Sequence, residues 1–122
     1  MSYDANLVAW AEEALAPGTV SMRRMMGACV LYLDGTIFAV VEDEIWFKAD
    51  AESAAIWDAE GCERFTFTGS NGKTEVMNYR RAPSEVYDDA EAMRRWASLA
   101  VEAGLRGAAK KRPKKAKGGA PA

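Results

Sequence analysis

Residues 30–41 read VLYLDGTIFAVV, two apolar runs around Asp34-Gly35. An Asp-Gly pair between β-branched and aromatic residues signals a tight hairpin, because both central positions tolerate φ > 0. Pairing the runs around that turn sets Leu33 opposite Thr36, Leu31 opposite Phe38 and Cys29 opposite Val40. The other side then carries Tyr32 with Ile37, Val30 with Ala39 and Ala28 with Val41. A hairpin with one wet face alternates apolar and polar residues. This one is apolar on both faces, so the chain must fold into something that covers both. A second copy of the chain is one cover, and a C-terminal helix wrapped across the second face is the other. Three short helices are too few for both faces of a five-stranded sheet, so the favoured cover is a homodimer. Its candidate face is Val30, Tyr32, Ile37, Val41 and Trp46.

The remaining elements fall around the hairpin. Asp4 is a good helix N-cap, and Leu7, Trp10, Ala11, Ala14 and Leu15 follow at helical spacing until Pro17-Gly18. That predicts a first helix over 4–16. Strands are expected near 21–33, 36–42 and 45–49, with Gly27 marking a bulge or a close backbone approach in the long first one. Asp50 opens a short helix over 51–60, which Gly61 stops. Two more strands, CERFTFTG and TEVMNYRRA, flank an SNG loop. Asp88 with Glu91 resembles a capping box for a last helix, whose stripe of Met93, Trp96, Ala97, Ala100 and Val101 ends near Gly104. The order is α-β-β-β-α-β-β-α: an α+β fold in two layers, with a five-stranded antiparallel sheet.

Charge divides the chain. Net charge is −2 over 122 residues. Residues 1–105 hold 9 Lys and Arg against 18 Asp and Glu, whereas residues 106–122 hold 7 Lys and Arg and no acid. The expected organisation is therefore a domain over 1–105 and a basic tail over 106–122, disordered for want of large apolar residues. The tail cations Arg106, Lys110, Lys111, Arg112, Lys114, Lys115 and Lys117 suit DNA phosphates, which would hold the tail without reading sequence. Arg23-Arg24 and Arg80-Arg81 would add a phosphate-facing patch if the fold brought them together. More often such pairs are solvated strand ends.

The sequence contains no histidine, the commonest general base and metal ligand. Glu42-Asp43-Glu44 lacks the spacing of a calcium loop, and GSNGK lacks the Gly-Lys-Ser/Thr ending of a P-loop. No nucleophile–base pair, metal site or cofactor motif emerges, so the expectation is a non-enzyme without cofactors. Cys29 and Cys62 show no CxxC spacing and read as reduced thiols, with Cys62 the more exposed. Neither a leader peptide nor a membrane-length apolar run is evident, which points to the cytoplasm.

RRMMGACVLYLDGTIFAVVEDEIWFKAD resembles the signature of the TfoX/Sxy N-terminal domain: Arg-Met-Phe-Gly-Gly, a Tyr-x-Asp-Gly turn, Phe-Ala, then Lys-x-Asp. Arg24, Met25, Gly27, Tyr32, Asp34, Gly35, Phe38, Ala39, Lys48 and Asp50 match, as do Met77, Tyr79 and Pro83. Met26 replaces the usual Phe, and Ala28 the second Gly. The resemblance spans about residues 5–104. It implies a fold similar to secretion chaperones and a regulatory role in competence gene transcription. The helical-hairpin domain that many members also carry has no counterpart in these residues. Two functions follow from it: a regulator acting by dimerisation and by partner or DNA contact, or a protein-binding adaptor without nucleic acid.

Overall fold

A computed structural model describes residues 3–25, 27–68 and 71–119. The chain runs α1 (Ala5–Leu15), β1 (Val20–Met25), β2 (Ala28–Leu33), β3 (Thr36–Val41), β4 (Ile45–Lys48), α2 (Ala54–Ala59), β5 (Arg64–Thr68), β6 (Thr74–Arg81), a 3₁₀ turn (Ser84–Tyr87) and α3 (Ala90–Gly119). One sheet holds all six strands in the order β1-β2-β3-β4-β6-β5, and every neighbouring pair is antiparallel. The α+β class follows from the sequence, but the strand count does not. The expected strand over 21–33 is two strands. The chain reverses at Gly27, whose φ is 83°, and Met25 pairs with Ala28. The glycine expected to mark a bulge is part of a second hairpin.

The Asp34-Gly35 turn forms with positive φ at both residues. Leu33 opposes Thr36 and Tyr32 opposes Ile37 as expected. Beyond them an irregularity slips the register by one, so that Leu31 opposes Ala39, Val30 opposes Val40 and Cys29 opposes Val41. A bulge of this kind changes which side chains share a face.

All the α-helices contribute to a single core on one face of the sheet. Val8, Ala11 and Leu15 of α1, Trp57 of α2 and Met93, Trp96 and Ala100 of α3 join Cys29, Leu31, Phe38, Val41, Ile45 and Phe47 there. Trp57 lies between Phe47 and Trp96, with ring centroids 5.8 and 5.0 Å away. Asp4 caps α1 by accepting from the Asn6 amide, and Arg94 of α3 donates to the Ala14 carbonyl in its last turn. These contacts satisfy backbone groups that a helix end leaves open.

Three boundaries differ from expectation. Asp89, not Asp88, accepts from the first amides of α3, those of Glu91 and Ala92. The second helix is short and starts after Ser53, because residues 50–53 form a closed turn in which Asp50 accepts from the Ser53 amide. And α3 does not stop at Gly104. That residue is buried where α3 crosses β3, and a Cβ there would collide with the Ile37 carbonyl oxygen. Glycine serves here for close approach rather than as a helix stop. The helix continues to Gly119, through the segment expected to be disordered.

Candidate interaction surfaces

The sheet face turned away from the helices carries its own apolar cluster. Val30, Val40 and Trp46 are buried at its centre, and Ala28, Tyr32, Ile37, Phe65 and Tyr79 pack around them half-buried. Two methionines extend it. Met25, 50% exposed, opposes Ala28, and Met77, 41% exposed, opposes Phe65; directly opposed residues share a face. No helical residue joins this cluster among the described residues. Of the five residues expected on this face, Val30, Tyr32, Ile37 and Trp46 lie on it. Val41 does not: the bulge turns it into the helix-covered core, where it is fully buried. Val40, Phe65 and Tyr79 belong to the face, and the sequence reading missed them because regular pairing hid the first and gave no strand order for the others.

Trp46 is the anchor. Phe65 meets its ring edge-on at 4.9 Å, although β6 lies between their strands. The Arg81 guanidinium stacks on it at 5.0 Å and pairs with Glu44 and Glu63. The Trp46 indole N–H is buried without an acceptor, as is that of Trp57 in the main core. Lys48 lies over the Tyr79 ring at 5.1 Å. Burial pushes the Tyr79 hydroxyl pKa up, and the Tyr32 phenol adds to the shift. The face is thus an aromatic and aliphatic centre with a rim of both charge signs, the usual anatomy of an interface.

The basic pairs separate. Arg80 is 2% exposed and donates to Asp58 and to the Cys62 carbonyl. Arg81 points to the other side, as strand alternation requires. Arg23 and Arg24 sit on β1, with β2, β3 and β4 between them and β6. The two pairs therefore make no common patch. Of the acid turn, Glu44 serves Arg81, and no group of His, Cys, Asp or Glu suited to a metal occurs among the described residues.

Arg106 also departs from expectation. It belongs to the folded body: its Nε and Nη2 reach the two Asp50 carboxylate oxygens at 2.6 and 2.9 Å, and Nε also pairs with Glu52 at 2.7 Å. The guanidinium holds the Asp50 carboxyl well below the usual carboxylate range. The cationic segment proper begins at Lys110, which is exposed. Lys111, Arg112, Lys114, Lys115 and Lys117 have side chains outside the described residues. Both cysteines are free and buried, Cys62 at 9% the more exposed of the two, as expected, and Cys29 fully enclosed. Desolvation pushes both thiol pKa values up, the opposite of what a nucleophile needs. No helix among the described residues is long and apolar enough to cross a membrane.

No curated protein matches the chain. A family model described as the TfoX N-terminal domain matches residues 12–104, which takes in the last turn of α1, the whole sheet, α2 and α3 through Gly104. Such domains are non-catalytic regulatory modules. By that match over well more than half its length, the chain belongs to the TfoX N-terminal domain family.

Proposed function

We propose that this domain is a non-enzymatic regulator that acts by contact: two copies pack through the open sheet face, and the cationic C-terminal segment touches DNA phosphates. The observation that carries the reading is the second apolar cluster around Trp46, which no helix joins among the described residues. Its half-buried ring and the exposed Met25 and Met77 beside it leave apolar surface of the kind that marks a protein contact. Its charged rim supplies Arg81 and Lys48 beside Glu44 and Glu63, and both signs on one surface are compatible with a self-complementary, isologous contact. The competence setting and the likeness to secretion-chaperone folds remain part of this proposal, resting on family membership and on the two-layer build.

Sedimentation at micromolar concentration tests it. The expected mass is twice that of one chain, falling to one chain in Ile37→Glu with the circular-dichroism spectrum unchanged. A monomeric parent chain would overturn the dimer. A second reading, an adaptor that holds a segment of a partner protein without nucleic acid, is favoured by one observation: β1 is an open sheet edge with five of its six residues exposed.

A further inference from the structure

That edge has a composition of its own. β1 reads VSMRRM, and β2 is its sole sheet neighbour. An open edge presents unpaired backbone donors and acceptors to any extended chain. Met22 is 42% and Met25 50% exposed, and methionine adapts to varied apolar partners. Between them stand Arg23 and Arg24, both exposed. Neither makes an ion pair among the described residues; Arg24 lies over the Tyr3 ring at 5.9 Å. Of the other strand arginines, Arg80 pairs with Asp58 and Arg81 with Glu44, whereas Arg64 of the opposite edge strand makes no ion pair among the described residues. In a body with twice as many acids as bases, two adjacent arginines without a carboxylate partner among the described residues make β1 a cationic edge.

They also select among occupants. Pairing β1 with a second copy of itself brings the arginines of both strands together, and like charges opposed across a strand pair are destabilising. A strand carrying acids there gains what the copy loses. Consecutive strand residues point to opposite faces. Arg23, opposite Val30, lies on the side of the open cluster, and Arg24 on the side of the helices with Tyr3. A partner strand therefore answers both only with two adjacent acids, one toward each face, flanked by apolar residues opposite Met22 and Met25. The pattern apolar-acid-acid-apolar reads the same in both directions, so it serves parallel and antiparallel addition alike.

We infer that β1 is a docking edge for an extended acidic segment of a partner protein, recognised by strand addition through an apolar-acid-acid-apolar sequence. The inference deepens the adaptor reading and rests on it; it does not depend on the dimer. The probe is a short synthetic peptide with Val-Glu-Glu-Val at its centre and threonine flanks, titrated into the full chain. Amide exchange and chemical-shift changes are read along the backbone. The expected result is slowed exchange confined to β1 and weakening with salt. Arg23→Glu/Arg24→Glu should weaken the peptide by roughly tenfold, from two cross-strand charge pairs. A Val-Lys-Lys-Val peptide should bind that variant and not the parent. The exposed positions leave the circular-dichroism spectrum unchanged. If peptides of either charge leave β1 exchange unaltered, the adaptor reading fails and the inference with it. If both peptides slow β1 equally in the parent chain, the edge binds strands, but the acidic selection is overturned.

Discussion

Gly104 and Asp50 carry more of the architecture than their size suggests. The Ile37 carbonyl oxygen occupies the space that any side chain at position 104 would need. Gly104→Ala should therefore push α3 off β3 and lower stability by about 1–3 kcal/mol, the range for overpacking a closed contact. Urea denaturation of parent and variant measures it. Helix propensity alone argues the other way, since alanine in a helix interior is favoured over glycine by about 1 kcal/mol, so the sign of the change tests the close approach. Asp50 predicts a pH effect. Its carboxyl is held below the usual range by Arg106, so the ion pair stabilises the fold fully above the ordinary carboxyl pKa of about 4. Below that value the unfolded chain takes up a proton that the folded chain refuses, and the contribution is lost as pH falls toward the depressed value. The stability gap between the parent chain and Asp50→Asn should be level from pH 7 to 5 and shrink below about pH 4. A gap that ignores pH would refute the pairing. Neither role can be read from the sequence: Gly104 looks like a helix stop, and Arg106 looks like the first residue of a basic tail. Both acquire their meaning from partners more than 50 positions away.

Among the elements, the sheet shows where local signals suffice and where they fail. The Asp34-Gly35 turn, the Asp4 cap and the apolar stripe of α3 are short-range features, and each forms where the residues put it. The β1–β2 reversal was hidden because Gly27 sits in a run of methionine and β-formers without the usual two-residue turn pair. The slip between β2 and β3 was hidden because either register pairs apolar residues with apolar residues, so burial alone does not choose. That slip decides that Val40, not Val41, joins the open face. β5, like β1, is an edge strand with one sheet neighbour, β6. The Phe65–Trp46 edge contact anchors it further in. Such aromatic pairs add about 0.5–1.5 kcal/mol beyond area burial. Phe65→Ala should speed amide exchange through β5 and β6 while leaving α3 unaffected, and shift tryptophan emission to the red as water reaches Trp46. An unchanged emission maximum would mean that Arg81 alone shields the indole.

At the scale of the whole molecule, the two proposed contacts, dimer and DNA, would respond differently to salt. Apolar packing through the open face gains nothing from low ionic strength, whereas cations on phosphate release counterions. If about five residues from Lys110 to Lys117 contact duplex DNA, the logarithm of affinity should fall against the logarithm of salt with a slope of roughly −4 to −5. Replacing Lys110, Lys111, Lys114 and Lys115 by glutamine should flatten that slope, and the sedimenting mass should stay the same. DNA binding that survives the replacement with its slope intact would move the contact away from this segment. Arg106→Gln should leave the slope unchanged, since that guanidinium already has its carboxylates.

The buried thiols have a practical corollary for all of these measurements. With Cys29 and Cys62 both buried and their thiol pKa values pushed up, the native protein should react slowly with maleimides at neutral pH, which a thiol-labelling time course checks. A single cysteine introduced at Met22 would be the fast-reacting handle, so a spin label or fluorophore can report on the β1 edge without removing either natural cysteine.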